Sequence, residues 1–326
     1  MQRIHFLGAG GNEVVHLERL QDPAVGEEQV LVVTRYAGVN PLDVLQRSGK
    51  YPVPNGASPY LPGVEVAGTV IAAGSRVTRW AVGDRVMGLV AEAGLADKVL
   101  AHQELLLAVP DTVSELAAAT LPEAVITGFD ALIRARTQLH DVVLIRGVNG
   151  GVGIATYKIA TAMGAVPIGI ARSPELLGKL ANLEITAVLE SEFEADAHSR
   201  NGASIIVELV GGEYVAQDLH LLASGGRVVV VSIAAGREAS VSVDLLLNKR
   251  ADVMGTVLRP RSTAEKALLI SKVRHQIMPL VASGQLTIPV EQIFRAEDAA
   301  EAFDHLGKPG KIGKVVLDFG MPRHEY

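Results

Sequence analysis

The sequence contains no cysteine, and aromatic residues make up only 4% of it. Without cysteine the chain can form no disulfide, no thiolate zinc site and no cysteine nucleophile, which fits a reducing compartment. No uncharged apolar run reaches the ~18 residues that a membrane span needs, and the N-terminus lacks a basic segment followed by an apolar one. We therefore expect a cytoplasmic protein with no membrane segment.

The chain also lacks an excess of basic residues. Its 30 lysines and arginines are outnumbered by 36 aspartates and glutamates, so the net charge is −6. This balance disfavours nucleic acid or an anionic membrane as a partner, and the scarcity of aromatic side chains further disfavours RNA binding. A length of 326 residues with 48% hydrophobic content predicts about two domains.

The residue pattern changes near position 119. Before it, short β-branched runs such as VLVVTRYAG (30–38) predict an irregular β-rich domain, with a hairpin turn at 8–12. After it, apolar strands alternate with amphipathic helices, which is typical of a parallel sheet covered on both faces. The predicted strands are 141–147, 166–172, 187–190, 204–210, 226–233 and 252–258. One helix is expected over 262–283, and the last strand could return to the first domain.

A glycine-rich turn, GVNGGVG (147–153), joins the first of these strands to a helical segment. Gly150 and Gly153 fit the second and third glycines of the dinucleotide fingerprint GxGxxG, whereas Val148 occupies the first place. Glycines allow phosphate to approach the backbone, and a helix N-terminus offers it free N–H groups. A purely structural turn is the alternative, but the strand that closes about 20 residues later favours a nucleotide site.

The second strand ends in Ala171-Arg172-Ser173. NAD-specific sites usually place a carboxylate here to hold the ribose 2′-hydroxyl. A guanidinium and a hydroxyl are available instead, and they suit a 2′-phosphate. The sequence therefore favours NADPH over NADH.

Five segments resemble one known superfamily, and the resemblance covers nearly the whole chain. They are AGVNPLDVLQRSGKYPVPNGASPYLPGVEVAGTV (37–70), LPEAVITGFDALI (121–133), LIRGVNGGVG (144–153), VLRPRS (257–262) and GKIGKVVL (310–317). They resemble the medium-chain dehydrogenase/reductase superfamily, in particular its zinc-independent quinone oxidoreductases and the branch that contains the tumour-suppressor-induced NADPH:quinone reductase. The resemblance implies an α/β chain with a GroES-like β-rich catalytic domain (1–118 and 259–326) and a Rossmann doubly wound parallel sheet that binds NADPH (119–258).

The zinc alcohol dehydrogenases of the same superfamily provide a control. Their catalytic zinc ligands align with Asn40, Val64 and Glu123, and Val64 cannot bind a metal. We therefore expect no metal site. Asp43, Glu65 and Glu123 could still lie together, and a salt-bridge or hydrogen-bond network is the expected arrangement.

The resemblance also implies catalytic residues in an interdomain cleft. Asn40 is the candidate amide donor near nicotinamide and substrate, and Tyr51 is the candidate hydroxyl that orients or protonates the substrate oxygen. Packing of Tyr51 in the proline-rich loop YPVPNG is the alternative. Asp43 and Arg47 are expected to form a structural pair at i and i+4.

The same resemblance implies a set of cofactor contacts. Lys311 and Lys314 could reach cofactor phosphates, although exposed lysines on a final strand are the more common case. The predicted cofactor-binding residues are Asn40, Thr127, Asn149, Gly150, Gly151, Val152, Gly153, Ala171, Arg172, Ser173, Val210, Gly211, Ser232, Ile233, Leu258, Arg259 and Lys314.

The expected function is metal-independent hydride transfer from NADPH to a quinone. A quinone or activated enone already spreads the developing charge, so positioning and hydrogen bonds can suffice. An NADPH-dependent enone or enoyl-thioester reductase is the close alternative, and a non-enzymatic NADPH sensor is a third. The apolar runs 226–233 and 252–258, taken as sheet edges, fit the homodimer that the resemblance implies.

Overall fold

The computed structural model describes residues 1–54, 56–193 and 202–320. The chain forms two compact units. A β-rich unit comprises Met1–Ile126 and Leu258–Tyr326, and a parallel-sheet unit comprises Thr127–Val257. Residues 119–126, which the change in sequence pattern assigned to the second domain, belong to the β-rich unit.

Strands and helices are numbered in chain order. The strands are β1 (Gln2–Phe6), β2 (Val15–Arg19), β3 (Gln29–Val33), β4 (Tyr36–Val39), β5 (Glu65–Ala73), β6 (Arg85–Leu89), β7 (Lys98–His102), β8 (Leu106–Ala108), β9 (Val142–Arg146), β10 (Val166–Ala171), β11 (Ala187–Leu189), β12 (Ala203–Glu208), β13 (Leu222–Val230), β14 (Asp252–Gly255), β15 (Val290–Arg295) and β16 (Lys314–Asp318). The α-helices are α1 (Pro41–Arg47), α2 (Glu115–Ala118), α3 (Pro122–Arg134), α4 (Gly151–Ala162), α5 (Pro174–Ala181), α6 (Tyr214–Leu221), α7 (Val243–Lys249), α8 (Thr263–Gln276), α9 (Met278–Ala282) and α10 (Ala299–Gly307). Short 3-10 helices span Asn12–Val14, Gln103–Leu105 and Ala296–Asp298.

The β-rich unit is built around an antiparallel five-stranded sheet in the order β7-β3-β5-β6-β8. Alternating valines turn one face of these strands inward, because successive side chains of a strand point to opposite faces. Val30, Val32, Val66, Val70 and Val86 all lie in one buried cluster. This cluster forms the core beneath the five-stranded sheet.

A hairpin and the C-terminal strand complete this unit. Strands β1 and β2 pair antiparallel with Phe6 opposite Val15, so the predicted hairpin is confirmed. Strand β16 pairs antiparallel with β4 and parallel with β15, which confirms the predicted return of the last strand to the first domain. Val39, Val315 and Phe303 pack in the core cluster beneath it.

The helix predicted over 262–283 is two helices. Helix α8 begins after Ser262, where a capping box with Glu265 satisfies the first backbone N–H groups. It ends before Ile277, because Pro279 has no N–H to donate and its ring would clash with a preceding carbonyl. No helix in the described ranges combines the length and apolar character that crossing a bilayer requires.

The parallel-sheet unit contains six strands in the order β11-β10-β9-β12-β13-β14, and every pair is parallel. All six strands were predicted from their apolar runs, and they are confirmed. Leu144, Ile145, Ile206, Val207 and Val228 are fully buried in this sheet. Both faces are covered, which explains why the strands are almost continuously apolar.

The edges of this sheet differ in part from the expectation. Residues 226–233 were predicted to form an edge strand, but β13 is paired with β12 on one side and β14 on the other. That prediction is wrong, because an apolar run marks burial on both faces and says nothing about neighbours within the sheet. Strand β14 is an edge, and Val253 on it is 41% exposed.

Val148 and the backbone of the turn between β9 and α4 leave no room for a side chain at two glycines, Gly153 of α4 and Gly169 of β10. A Cβ on Gly153 would lie 2.4 Å from the Gly147 carbonyl oxygen and 2.5 Å from Val148 Cα. A Cβ on Gly169 of β10 would lie 2.6 Å from a Val148 methyl group. Val148 is fully buried and fills the space that these glycines leave.

We expect Gly153→Ala to lower the free energy of unfolding by about 1–3 kcal/mol, because the new methyl group would press on backbone atoms that cannot move aside. Urea unfolding of the purified variant measures the change. Gly178→Ala in α5 is the matched control, since nothing lies within 4 Å of its Cβ position. It should be neutral or stabilising by up to about 1 kcal/mol. Equal stabilities of the two variants would contradict the packing argument.

Candidate functional site

Four connections leave the same edge of the parallel sheet. They follow the carboxyl ends of β10, β9, β12 and β13, which are neighbours in that order. Ligands of open α/β sheets bind at this edge. The sequence-predicted residues located at these strand ends or in the segments that follow are Asn149, Gly150, Gly151, Val152, Gly153, Ala171, Arg172, Ser173, Val210, Gly211, Ser232 and Ile233.

The glycine turn presents an anion-binding surface. Gly147 has a φ of +82°, so the sharp turn that a first fingerprint glycine would make occurs one residue before Val148. Gly150 caps α4, and its Cβ position has only the Gly147 carbonyl oxygen nearby, at 3.7 Å. The first turn of α4 contains no acidic residue, and its N–H groups have no acceptor within the helix. The surface therefore fits a phosphate group, and no side chain obstructs it at Gly150.

The end of β10 combines an exposed guanidinium with a helix cap. Arg172 is exposed, and Ser173 is the N-cap of α5, where its Oγ accepts a hydrogen bond from the Leu176 N–H at 3.3 Å. The hydroxyl proton of a capping serine stays available to a second acceptor. No carboxylate ends this strand, so the geometry is compatible with a bound phosphate.

A buried charge cluster, which the sequence analysis missed, lies behind this edge. Arg146 ends β9 and is almost completely buried. Its guanidinium is 2.7 Å from Asp218 Oδ1, 2.8 Å from Glu190 Oε1 and 3.0 Å from Glu208 Oε2, and it stacks over the Tyr214 ring at 4.8 Å. Charged residues at the ends of the apolar runs VVLIR and SIIVE were the available signal.

Glu208 links this cluster to the predicted cofactor loop. Its Oε1 accepts hydrogen bonds from the backbone N–H groups of Val210 and Gly211, the second at 2.7 Å. Gly211 has a φ of +81°, and a Cβ there would lie 2.3 Å from the Ser232 carbonyl oxygen. The carboxyl group of Glu208 therefore fixes the backbone of the loop that follows β12.

The Glu208 and Asp218 carboxyl groups lie close enough that ionisation of one disfavours ionisation of the other. Burial and the adjacent Asp218 raise the pKa of Glu208 to about 8. Burial also raises the pKa of Asp218, although Arg146 opposes the shift. We conclude that the pair retains a proton at neutral pH, because a single guanidinium cannot offset every buried carboxylate around it.

In the β-rich unit, Asn40 and Lys314 belong to one buried network. Asn40 Nδ2 donates to Glu65 Oε1 at 2.8 Å, and the Lys314 ammonium donates to Asn40 Oδ1 and to Glu65 Oε1, the latter at 2.6 Å. Glu65 Oε2 accepts from the Glu123 N–H at 2.8 Å, and Lys314 Nζ is 3.8 Å from Glu123 Oε2. These bonds fix the orientation of the Asn40 amide.

This network corrects two expectations and confirms one. Lys314 is not an exposed lysine of the final strand: it is almost fully buried, and although burial alone would lower its pKa, Glu65 and Glu123 raise it. Asp43 and Arg47 do not pair. Asp43 accepts from the N–H groups of Asn40 at 2.9 Å and Gly63 at 2.8 Å, so it serves as the N3 residue of a helix cap. Of the three carboxylates expected in one network, Glu65 and Glu123 both lie against Lys314, and Asp43 is joined to them through the backbone N–H of Asn40.

Burial makes the Asp43 carboxylate easier to protonate than an exposed aspartate. Burial raises its pKa to about 6, while the two backbone N–H groups oppose the shift. Arg47 lies elsewhere, bonded to Asn12 and within 3.9 Å of Asp304. The i, i+4 spacing therefore predicted the wrong partner for Asp43, because its carboxylate accepts hydrogen bonds at the helix N-terminus instead of pairing with Arg47.

The positions aligned with zinc ligands do not form a donor set. Val64 is buried and has no donor atom, and the Asn40 amide is bonded to Glu65 and Lys314. No group of three or more metal-ligating side chains lies close enough together to hold an ion in the part of the chain that the structure describes. Near two of these positions, the carboxylates of Glu65 and Glu123 face the ammonium group of Lys314.

Tyr51 and Arg259 lie together in the β-rich unit. The Arg259 guanidinium is 5.4 Å from the centre of the Tyr51 ring, and it donates from Nη1 to Gln46 Oε1 at 2.7 Å and from Nε to the Ala91 carbonyl at 3.2 Å. Burial raises the pKa of the Tyr51 hydroxyl, and the charge of Arg259 partly opposes the shift. Gln46 was not identified from the sequence.

Five of the predicted cofactor-binding residues lie apart from the sheet-edge group: Asn40 and Lys314 of the buried network, and Thr127, Leu258 and Arg259. Leu258 and Arg259 belong to the β-rich unit, since the strand before them, β14, ends at Gly255. The hydrogen bonds of the Arg259 side chain, to Gln46 and Ala91, are made within that unit. Thr127 lies in α3 and is largely buried.

Comparisons with known proteins cover both units. The family described as "Alcohol dehydrogenase GroES-like domain" matches residues 26–113, and the family described as "Zinc-binding dehydrogenase" matches residues 151–272. With the strand order, these matches confirm the predicted GroES-like domain and Rossmann-type parallel sheet.

Three relatives illustrate the similarity. Quinone oxidoreductase of Mus musculus is 31% identical over 331 residues, which cover 97% of this chain and 97% of that protein. The quinone oxidoreductase of Thermus thermophilus, whose structures include a complex with NADPH, is 29% identical with a TM-score of 0.83 over 98% of this chain and 100% of that one. CurK enoyl reductase is 25% identical with a TM-score of 0.84 over 97% and 98%.

Glu208 should make the parallel-sheet unit less stable as the pH rises. Its pKa is raised in the folded state, so the folded protein holds a proton that the unfolded chain releases above its ordinary pKa of 4.5. The stabilisation is complete below that value and is lost as the pH rises to about 8. Urea unfolding between about pH 5 and about pH 8 measures the fall.

We expect Glu208→Gln to reduce this pH dependence, since the amide cannot titrate and its oxygen can still accept from Val210 and Gly211; Asp43 and Asp218, whose pKa values are also raised, account for the remainder. Glu175→Gln, which changes an exposed carboxylate of the same unit, is the control and should leave the pH dependence intact. An undiminished pH dependence in Glu208→Gln would show that Glu208 does not contribute to it.

Proposed function

Since this chain belongs to the medium-chain dehydrogenase/reductase superfamily, among the quinone oxidoreductases, we propose that it is an NADPH-dependent quinone reductase. The observation that carries the proposal is the unobstructed N-terminus of α4, at the carboxyl edge of the parallel sheet and next along that edge to the exposed Arg172. This arrangement suits a dinucleotide with a 2′-phosphate.

The proposed cofactor contacts belong mainly to the parallel-sheet unit. When bound, NADPH supplies the hydride. Residues 149–153 would hold the pyrophosphate, Arg172 and Ser173 the 2′-phosphate, and residues 210–211 and 232–233 the remaining backbone contacts; Ala171 and Thr127 complete the set. The absence of a carboxylate at the end of β10 supports NADPH over NADH.

Asn40 and Tyr51 are the proposed substrate-side residues. The Asn40 amide has two N–H groups, of which Glu65 accepts one, so we assign the second to the nicotinamide or the substrate. Lys314 supports this role from behind by holding Asn40 Oδ1. The Tyr51 hydroxyl is protonated at neutral pH, as any ordinary phenol is, and so has a proton to give to the substrate oxygen; burial raises its pKa, and the charge of Arg259 opposes that shift.

A quinone fits these residues better than an alcohol does. Oxidation of a simple alcohol needs strong electrophilic help, and Val64 removes one of the positions where a zinc ligand would stand. A quinone delocalises the developing charge itself, so hydrogen bonds from groups such as Asn40 and Tyr51 can suffice. We therefore propose a metal-independent reaction.

An NADPH-dependent enone or enoyl-thioester reductase is the second candidate, because CurK enoyl reductase shares the fold over nearly the full length. NADPH oxidation followed spectrophotometrically with para-quinones, ortho-quinones, enals and enoyl thioesters separates the two. We expect the quinones to give the highest kcat/KM. Faster turnover of an enoyl thioester would favour the second candidate, and no turnover of any acceptor would reject both. The cytoplasmic location and the homodimer stay predictions.

Arg172→Gln should weaken NADPH binding by at least about tenfold and leave NADH binding unchanged, because only NADPH has the 2′-phosphate that the guanidinium would contact. Titration of both nucleotides by quenching of intrinsic fluorescence measures the two affinities. Lys179→Gln is the control, since it removes an equal charge from the helix that follows, where Lys179 lies 3.2 Å from Glu175. Equal losses for both nucleotides would exclude a 2′-phosphate contact.

Tyr51→Phe should lower kcat for quinone reduction by about 10–100-fold and leave the NADPH affinity alone, because it removes only the hydroxyl group. Steady-state kinetics and nucleotide titration give the two values. Tyr60→Phe, at an exposed tyrosine of the same unit, should change neither. Unchanged kcat in Tyr51→Phe would assign Tyr51 to packing.

A further inference from the structure

Arg259 is a buried cation without a counterion. Only 9% of its surface is exposed, yet no carboxylate lies within ion-pair distance of its guanidinium in the described residues. Its Nη2 atom is buried and has no hydrogen-bond partner. A buried charge is normally paired, because removing it from water is costly.

The other deeply buried arginine shows what is missing. Arg146 is surrounded by Asp218, Glu190 and Glu208, all at 3.0 Å or less. Arg259 instead contacts neutral groups, and the ammonium of Lys266 donates to its backbone carbonyl at 2.8 Å. The groups bonded to Arg259 therefore carry no negative charge, and Asp43 interacts with it only through space.

The guanidinium is also held in one orientation. Gln46 Oε1 accepts from Nη1 and the Ala91 carbonyl accepts from Nε, while Gln46 Nε2 is itself fixed by the Pro59 carbonyl at 3.0 Å. The two anchored nitrogens leave Nη2 as the unsatisfied donor. A rigid, unsatisfied cationic donor is a preorganised site for an oxyanion.

The titratable groups around it do not fill this role. The charge of Arg259 helps to lower the pKa of Asp43 through space, but both oxygens of Asp43 accept from backbone N–H groups, those of Asn40 and Gly63. The Tyr51 ring lies 5.4 Å from the guanidinium, and a side-chain hydrogen bond with Arg259 opposes the rise that burial causes in the pKa of its hydroxyl. An unsatisfied cationic N–H beside an aromatic ring suits a ligand that has a phenolate-like oxygen on a ring of its own.

We propose that Arg259 and Tyr51 form an oxyanion site in the GroES-like unit, in which Arg259 Nη2 binds the charge that develops on the quinone oxygen. This assigns Arg259 to the substrate rather than to the cofactor, and it rests on the proposed quinone reduction. The quinone gains a hydride from NADPH, which is oxidised, and the resulting monoanion takes a proton from the Tyr51 hydroxyl to give the hydroquinone. Water then reprotonates the tyrosinate.

The test uses the full chain without nucleotide and 4-nitrophenol as the probe, because its phenolate resembles the anionic intermediate and absorbs visible light. Spectrophotometric titration across pH gives the affinities for phenol and phenolate. We expect the protein to bind the phenolate at least about tenfold more tightly than the phenol. A protein without this preference would overturn the proposal.

Variants assign the preference to one side chain. Arg259→Gln should abolish it, Arg259→Lys should retain part of it, and Lys50→Gln, which removes an exposed charge next to Tyr51, should leave it intact. Retention of the full preference in Arg259→Gln would contradict the proposal. Partial retention in Arg259→Lys keeps the test valid if the glutamine variant folds poorly.

The cofactor is the competing source of an oxyanion. NADPH titration of Arg259→Gln should give an unchanged affinity, and a tenfold loss of NADPH affinity with intact phenolate binding would assign the guanidinium to a cofactor phosphate. Quinone reduction is measured separately. A phenolate preference without quinone turnover would reject the proposed function and support the oxyanion site. Quinone turnover without the phenolate preference would support the function and reject the oxyanion site.

Discussion

A charge removed from water must meet compensating charge or strong hydrogen bonds, and this constraint organises both units of the protein. In the parallel-sheet unit, Arg146 ends the first strand and draws Glu190, Glu208 and Asp218 around it. Glu208 in turn holds the backbone of the loop after β12. The loop geometry at the sheet edge thus depends on a charge cluster behind it.

The same constraint governs the β-rich unit. The buried ammonium of Lys314 is compensated by Glu65 and Glu123, and this pairing fixes the amide of Asn40. Arg259 departs from the rule, since it is buried among neutral groups with one nitrogen unsatisfied. We therefore expect an anion at this unsatisfied nitrogen.

Much of the fold was predictable because it depends on local pattern. Apolar runs identified all six parallel strands, and the glycine turn identified the start of α4. Pairing within a sheet is not local, which is why 226–233 was misjudged as an edge. The helix break at Ile277 had a local signal in Pro279 that the apolar periodicity concealed.

The candidate site was predictable only in part, for the same reason. The glycine turn can be identified because its residues are close together in the sequence. Arg146 and Asp218 are 72 residues apart and Arg259 and Gln46 are 213 apart, so no local pattern connects them. Asp43 shows the limit of spacing rules, because a helix cap took the carboxylate that the i, i+4 rule assigned to Arg47. Which charges meet is decided by the fold as a whole.

In the proposed reaction, positioned protein groups suffice for hydride transfer to a quinone without a metal. The most direct measurement is the rate of NADPH-dependent quinone reduction before and after treatment with a strong chelator, with the zinc content of both samples determined by elemental analysis. We predict substoichiometric zinc and an unchanged rate. One zinc per chain, with activity lost on its removal and restored on its return, would contradict the account.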